Sequence, residues 1–321
     1  MGLRKKDTGY KTKIGGQALI EGVMMRGIDQ ASMAVLMPDK SIDVETWSVK
    51  AAKNRNLFFR LPLVRGIVNL IESLVMGYKC LMKSAEKSGM AEEEDGQPGR
   101  FEELLERRFG EMAVNRLFRI TTIIATVIGV LLAIGLFLYL PALVARFLGE
   151  LFHANYLRAV IEGLIKIGIF VLYLFLVSRM KEIHRVFEFH GAEHKTIACY
   201  EAGEELTPEN AKKYKRFHPR CGTSFLIIVL ILSIIIFSVV SWENLLIRVL
   251  LKIILIPVVI GIAYEIIRLA GRYDNIVTRI VSAPGMWLQR ITTNEPDEEQ
   301  LSVAIAALKP VLPADREEGR W

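Results

Sequence analysis

Residues 187 to 201 read Phe187-Glu-Phe-His-Gly-Ala-Glu-His-Lys-Thr-Ile-Ala-Cys-Tyr-Glu201 and contain the pattern H-x-x-E-H. His190, Glu193 and His194 form this pattern. Residues four apart lie on one face of a helix, so both imidazoles can reach one metal ion with the carboxylate beside them. Metallopeptidases with this order use the histidines as zinc ligands and the glutamate to activate water. The stretch therefore predicts two metal ligands and one catalytic base.

A second candidate pair, His218 and Cys221, follows in the string His-Pro-Arg-Cys-Gly. Catalytic zinc usually has three protein ligands and an open position, so either residue can complete a site for Zn²⁺ or another divalent metal. Glu201 is excluded as a ligand because it would lie about 10 Å along the helix axis from His194. Two alternatives stay open. The paired histidines can be hydrogen-bonded side chains of a cytosolic helix, and Cys221 can be a small apolar group in a turn.

The apolar residues occur in long runs, which is typical of an integral membrane protein. The chain has 321 residues, a mean hydropathy of +0.32 and a net charge of +6. Its three cysteines are too few and too scattered for a disulfide framework. The predicted fold is a mainly α polytopic membrane protein with four transmembrane helices, an interfacial helix and a small cytosolic α+β body. The predicted spans are 120–145, 160–177, 224–240 and 245–267.

The remaining segments predict a β-rich unit, an amphipathic helix and a C-terminal tail. Residues 33–49 suit a hairpin with a turn at Asp39, and 17–25 suit an apolar strand. The helix of residues 57–87, with Pro62 in its first turn, is either interfacial or packed in a core. Ser282-Ala-Pro-Gly285 is expected to break the chain before an amphipathic helix, 297–309. The first predicted domain is a β-rich unit (1–56). The second (57–119) contains the amphipathic helix, an acidic linker (91–100) and a charged helix. The others are spans one and two (120–177), the metal-site loop (178–223), spans three and four (224–267) and the tail (268–321).

Loop charges predict the orientation in the membrane. The linkers after the first and third spans carry almost no Lys or Arg, and basic loops stay in the cytoplasm. Both termini and the loop 178–223 are therefore expected in the cytosol, with no cleavable signal at the N-terminus. The bilayer is one partner and an unknown substrate or protein another; the sequence lacks the aromatic-interleaved basic patch that nucleic-acid binding would need. The loop's basic residues are Arg179, Lys181, Arg185, Lys195, Lys212, Lys213, Lys215, Arg216 and Arg220.

The two halves of the candidate site present a geometric problem. If the second span ended at Val177 and ran on straight, His190 would stand roughly 20 Å beyond it. Cys221 comes three residues before the third span and should lie close to the membrane. The halves can meet if the helix bends, for example at Gly191, or lies along the surface. They can also meet if residues 212–221 reach outward before returning.

Several strings of the chain resemble those of the YqhQ-like family of bacterial membrane proteins. The family is described as predicted metal-dependent enzymes, and the resemblance implies that His190, Glu193, His194, His218 and Cys221 form the metal region. The strings are Gly15-Gly-Gln-Ala-Leu-Ile-Glu-Gly-Val-Met-Met-Arg26, His190-Gly-Ala-Glu-His-Lys195, His218-Pro-Arg-Cys-Gly-Thr-Ser-Phe225, Ser282-Ala-Pro-Gly285 and Thr292-Thr-Asn-Glu-Pro296.

The resemblance also singles out Glu21 and Arg26 as possible additional site residues. One interpretation makes them ordinary charges near strand ends. A glutamate in so apolar a strand would otherwise need a partner or a metal. The resemblance further places the protein in the bacterial inner membrane.

The combined prediction is a zinc-dependent membrane enzyme with its site at the cytosolic membrane surface. Its predicted reaction is a hydrolysis, by analogy with the peptidases that carry H-x-x-E-H. The alternative is a non-catalytic membrane adaptor or assembly factor, in which four ligands close a structural metal site. A transporter is disfavoured because the predicted spans carry few charges, and those lie near the span ends.

Overall fold

The computed structural model describes residues 10–49, 56–89, 111–151, 158–219, 221–238, 244–273 and 275–320. The chain forms two compact units. The first comprises Met1–Gly89, Val171–Leu232 and Ile256–Trp321, and the second comprises Met90–Phe170 and Ser233–Leu255. The predicted linker of residues 91–100 lies outside the described residues, as do residues 101–110 of the predicted charged helix.

The N-terminal strands form one antiparallel sheet in the order β1-β2-β3-β4. The predicted hairpin around Asp39 is confirmed, with β3 and β4 on either side of it. The single strand predicted over 17–25 is wrong, because a hairpin turn at Ile20 and Glu21 divides it and Glu21 has a φ of 49°. The strands are β1 Gly15–Leu19, β2 Gly22–Arg26, β3 Gln30–Leu36 and β4 Ile42–Ser48.

The helices carry most of the described chain. A π-helical turn, Gly135–Tyr139, joins the second and third of them, and 3₁₀ turns occupy Leu57–Arg60 and Lys309–Val311. In chain order the α-helices of the described residues are α1 Val64–Lys87, α2 Glu111–Ile134, α3 Leu140–Leu151, α4 Arg158–Val177, α5 Lys181–Ala202, α6 Pro208–Lys212, α7 Gly222–Ser238, α8 Leu245–Arg272, α9 Ile276–Thr292 and α10 Glu298–Leu308.

The sheet is covered on both faces, which explains why its inner strands, β2 and β3, are buried along almost their whole length. Ala34 and Leu36 of β3 face a core formed with α5 and α10. Met33 and Val35 face the opposite way, toward Cys80 of α1. Successive strand residues point to opposite faces, so only a sheet covered on both faces makes such a run favourable. β4 alternates instead between exposed and half-buried residues.

Helix α1 begins later than predicted and docks on α8. It starts at Val64, two residues after Pro62, because Leu63 has a φ of 69° that no helix accepts. Arg65 Nε donates to Glu265 Oε1 at 2.6 Å, and Asn69 Nδ2 donates to the Tyr264 hydroxyl at 2.6 Å. These bonds fix the first turns of α1 against α8.

Three helical segments of the described residues are long and apolar enough to cross a membrane. They are Ile123–Glu150, Val160–Val177 and Val249–Ala270. The predicted third span corresponds to α7, which has 17 residues. At 1.5 Å per residue it measures about 26 Å, against a hydrocarbon core of about 30 Å. The structure is therefore that of a membrane protein, and the count of four spans is not confirmed by helix length.

The metal-site loop is mostly helical. A turn between α4 and α5 redirects the chain, so that His190 does not lie on a straight continuation of the second span. The chain leaves α4 at Val177, and Met180, with a ψ of 134°, caps the new helix α5. The bend considered at Gly191 is wrong, because α5 continues through that residue. Gly191 is buried there against the Asn294 carbonyl, where a Cβ would collide.

The chain break expected at Ser282–Gly285 is also wrong. Helix α9 runs through this string with Pro284 inside it, and a capping box at Asn275 starts the helix at Ile276, well before the proline. A Cβ on Gly285 would overlap Ser224 at the start of α7. The small residues therefore allow two helices to approach closely, and they do not end the helix.

We expect Gly191→Ala to lower the free energy of unfolding by about 1–3 kcal/mol, because the added methyl overpacks against a backbone carbonyl. Gly168→Ala is the matched control, since a Cβ at this helical position meets no atom within 4 Å. Thermal unfolding of both variants in detergent measures the difference. Equal midpoints for the two variants would contradict the close approach.

Candidate metal centre

Helix α5 places His190 and His194 on one face, with ring centroids 4.4 Å apart. The helix cannot rotate freely, because Phe189, Ala192 and Cys199 are fixed in the core beneath the sheet. The periodicity of 3.6 residues then directs positions 190 and 194 away from that core. Cys221 approaches the same face from the turn that starts α7.

The ligand atoms of His190, His194 and Cys221 lie within 4.8 Å of one another. The shortest separation is 3.0 Å, between His190 Nε2 and Cys221 Sγ. Tetrahedral zinc with bonds of about 2.0–2.3 Å holds its ligand atoms about 3.3–3.7 Å apart. Small side-chain shifts would therefore convert this cluster into a coordination geometry.

Backbone carbonyls fix the tautomer of both histidines. His190 Nδ1 donates to the Thr292 carbonyl at 2.8 Å, and His194 Nδ1 donates to the Arg216 carbonyl at 2.5 Å. Both Nε2 atoms are thereby left to face the cluster, as in metal-bound histidines that donate their other N–H to a carbonyl. His194 Nε2 is buried and has no hydrogen-bond partner. A buried polar atom in this condition needs an explanation, and a bound water or ion is one of those available.

The cluster also polarises its own thiol. Burial by itself raises the pKa of Cys221, but the charges of His190 and His194 lower it well below the ordinary value. Burial by itself lowers the pKa of His190, but the Cys221 thiolate outweighs it and raises that pKa to about 9. These opposite pKa shifts favour a thiolate on Cys221, and the thiolate is the form that binds metals.

Glu193 lies on α5 beside the cluster and is buried. Burial raises its pKa, while the neighbouring His194 and His190 act in the opposite direction. The backbone N–H of Gly16 donates to its carboxylate, and a Cβ on Gly16 would come within 2.9 Å of it. Strand β1 thus covers the carboxylate closely, which requires a glycine at position 16.

His218 is held next to the cluster without joining it. Its ring centroid lies 5.6 Å from that of His194, and its Nε2 is 3.7 Å from Glu201 Oε2. Gln289 fixes the backbone of this residue, accepting from its N–H and donating to its carbonyl at 2.8 Å each. Of the four predicted ligand residues, the structure brings together His190, His194 and Cys221.

Glu21 and Arg26 lie apart from the cluster. Glu21 forms a bidentate ion pair with Arg185 of α5, with one contact of 2.6 Å, and this pair joins the β1–β2 turn to the helix that carries the histidines. Arg26 lies 4.0 Å from Glu72 of α1. The partner expected for a glutamate in this apolar segment is therefore an arginine.

Sequence analysis gave no role to Thr292, Gln289 or Glu295, which support the site. Glu295 Oε2 lies 2.6 Å from the Nζ of the buried Lys195. This ion pair links the string Thr292–Pro296 to the string that carries the histidines. The sequence signal for this support was that both strings are among those that resemble the YqhQ-like family. Their connection was not readable, because Thr292 acts through its backbone carbonyl and any residue type supplies one.

Comparisons with known proteins support one family. The model of a family described as "Protein of unknown function (DUF1385)" matches residues 61–314. The chain is 34% identical over 299 residues to the uncharacterized protein YqhQ of Bacillus subtilis (strain 168), covering 93% of this chain and 92% of that protein. No solved structure gives a significant match. The matched residues 61–314 include the whole His190, His194 and Cys221 cluster.

We expect Cys221 of metal-free protein to be alkylated selectively at pH 7. Because its pKa is lowered, Cys221 is a thiolate at pH 7 and becomes protonated only when the pH falls below that pKa. An ordinary thiol ionises near pH 8.5 and is therefore mostly protonated at pH 7. Cys80 and Cys199 are internal controls, because burial raises the pKa of both, that of Cys199 to about 11. Peptide mapping after iodoacetamide treatment gives the three rates. His190→Gln should slow the reaction at Cys221, and equal rates at all three cysteines would disprove the ion pair.

Proposed function

The chain belongs to the DUF1385 family, and from the geometry of its own residues we propose that it is a metal-dependent membrane hydrolase. The observation that carries this proposal is the orphaned Nε2 of His194, directed at a thiolate and a second imidazole. The proposed ligands are His190, His194 and Cys221. Glu193 is the proposed catalytic base.

The donor set fits a divalent metal that accepts nitrogen and sulfur, and zinc is the best candidate. A metal held there supplies a Lewis acid that brings the pKa of water toward neutrality. Three protein ligands leave the fourth position open, which favours catalysis over a closed structural site. The contact of His218 with Glu201 supports this reading, because it keeps a third imidazole out of the set.

Glu193 has the environment that a general base requires. It is buried next to both histidines, and burial raises its pKa toward the range in which it can accept and return a proton near neutral pH. The Gly16 N–H orients the carboxylate, and β1 covers it from water. Peptide hydrolysis is the reaction suggested by known H-x-x-E-H enzymes, an argument from analogy.

The proposal includes four spans, with both termini and residues 178–223 in the cytosol of a bacterial inner membrane. Ile227 and Ile228 of α7 pack against Ala263 of α8, so α7 lies beside a helix of spanning length. The nine basic residues between the second and third proposed spans support the orientation.

A structural metal in an adaptor or assembly factor is the rival function, and Glu193→Gln separates the two. In an enzyme this variant should keep one equivalent of zinc and its fold but lose activity or the cellular phenotype, because the amide cannot take a proton. His190→Ala or His194→Ala should lose the metal, measured by elemental analysis of purified protein.

Two outcomes would count against the proposed roles. Full metal content in both histidine variants would remove the metal centre. A silent Glu193→Gln beside a defective Cys221→Ala would establish the adaptor.

Cysteine labelling tests the topology. Glu205→Cys, at an exposed position after α5, should react with a membrane-impermeant maleimide only in opened cells. Glu243→Cys, which comes between the last residue of α7 and the first residue of α8 in the sequence, should react in intact cells, because α7 crosses the bilayer in the proposed topology. The unsubstituted chain reports the background from its own cysteines. Labelling of position 205 in intact cells would reverse the orientation, and protection of position 243 would reduce the spans to three.

A further inference from the structure

A groove of about 910 Å³ runs between α1 and the face of the sheet opposite α5. Its volume falls within the range of small-molecule sites. β3 and β4 contribute Met33, Glu45 and Trp47, and α1 contributes a largely apolar wall with Lys79 and Lys83 toward its C-terminal part. The α1 wall consists of Val68, Ile71, Glu72, Val75, Met76, Lys79, Cys80 and Lys83.

One end of α1 lies at membrane level. A Cβ on Gly66 would overlap Tyr264, and a Cβ on Gly261 would overlap Leu63, so α1 contacts the candidate span Val249–Ala270 directly. Leu74 and Tyr78, on the same helix, are 63% and 65% exposed. Exposed apolar residues on a helix anchored at a span are typical of a surface that contacts lipid. The groove is therefore accessible from the bilayer.

A second cavity, of about 300 Å³, adjoins the groove, because Arg26 and Met76 line both. It is also lined by Gly15 and Gly16. Gly16 is the residue that contacts Glu193. The path from the groove thus ends at the strand that covers the proposed catalytic base.

Charge differs between the two spaces. The groove is lined by two carboxylates: Glu45 is paired with Lys83 and Lys87, and Glu72 lies 4.0 Å from Arg26. The smaller cavity is lined by two cations, Lys13 and Arg26, and by no carboxylate. A negatively charged group is the complement of such a cavity.

We propose that the groove and the cavity together bind one anionic membrane phospholipid, with an acyl chain along α1 and the phosphate of the head group at Arg26 and Lys13. The further step, that this phospholipid is the substrate of the Glu193 site, rests on the proposed function. A peptide fits less well, because β4 turns the side chains of Glu45 and Trp47 toward the groove, whereas strand addition needs an exposed backbone edge.

Trp47 reports directly on the occupant. In full-length protein in which Trp242, Trp287 and Trp321 are replaced by phenylalanine, phosphatidylglycerol with brominated acyl chains is titrated into detergent micelles. Bromine quenches only a nearby indole, so binding should give saturable quenching at one lipid per protein. Val68→Phe should abolish the saturable phase, because it fills the groove. Leu74→Phe, on the same helix but outside the lining, should leave it unchanged.

The head group is tested by charge. Half-saturation should need about 30-fold less brominated phosphatidylglycerol than brominated phosphatidylcholine, as expected for two cations near an anionic lipid, and Arg26→Gln should reduce this preference to about five-fold. Quenching that rises linearly with lipid and is equal in Val68→Phe and Leu74→Phe would overturn the proposal. Displacement of the lipid by an apolar peptide at lower concentration would do the same.

The binding assay is independent of the metal. Saturable quenching should persist in zinc-stripped protein and in Glu193→Gln. If quenching persists but no variant binds metal, the proposed hydrolase fails and the lipid site stands. If metal content and the Glu193→Gln defect hold but saturable quenching is absent, the lipid inference alone fails.

Discussion

The close approach of α5 to the segment that links α9 and α10 is the constraint on which the site depends. At Gly191 the helix backbone touches the Asn294 carbonyl, and the Asn294 N–H donates to the Phe187 carbonyl at 2.8 Å. This contact sets the distance at which the Thr292 carbonyl reaches His190. A larger residue at position 191 would separate the two segments, and the imidazole would lose the partner that fixes its tautomer.

Around this contact, a buried cation is paired while several buried polar atoms are not. Lys195 is almost fully buried; its ammonium lies 2.6 Å from the exposed Glu295, which also accepts from Arg216 at 3.3 Å, and it donates to the Lys212 carbonyl. Buried side-chain atoms without a hydrogen-bond partner occur at His194, Thr196, Arg216 and Ser224. Among them, His194 Nε2 is the atom that lies in the cluster with His190 and Cys221.

The sheet connects that centre to the membrane-facing part of the first unit. β1 touches Glu193 through Gly16 on one side, and Gln17 of the same strand packs against Gly77 of α1. Because α1 in turn docks on α8 through Arg65 and Asn69, the sheet is held between the site helix and a helix of spanning length. This arrangement places the groove along α1 and the buried carboxylate of Glu193 in the same unit.

The sequence alone determined the membrane class, the candidate ligands His190, His194 and Cys221, and the β3–β4 hairpin, because apolar run length, i,i+4 spacing and turn chemistry are local properties. It misplaced the start of α1 and the bend before α5, since both depend on single backbone dihedrals. Only the tertiary structure decided that Glu21 pairs with Arg185 and that Thr292 supports His190. These contacts join residues more than 100 positions apart, and no local pattern encodes them, because a backbone carbonyl or a surface arginine can serve any partner that folding brings to it.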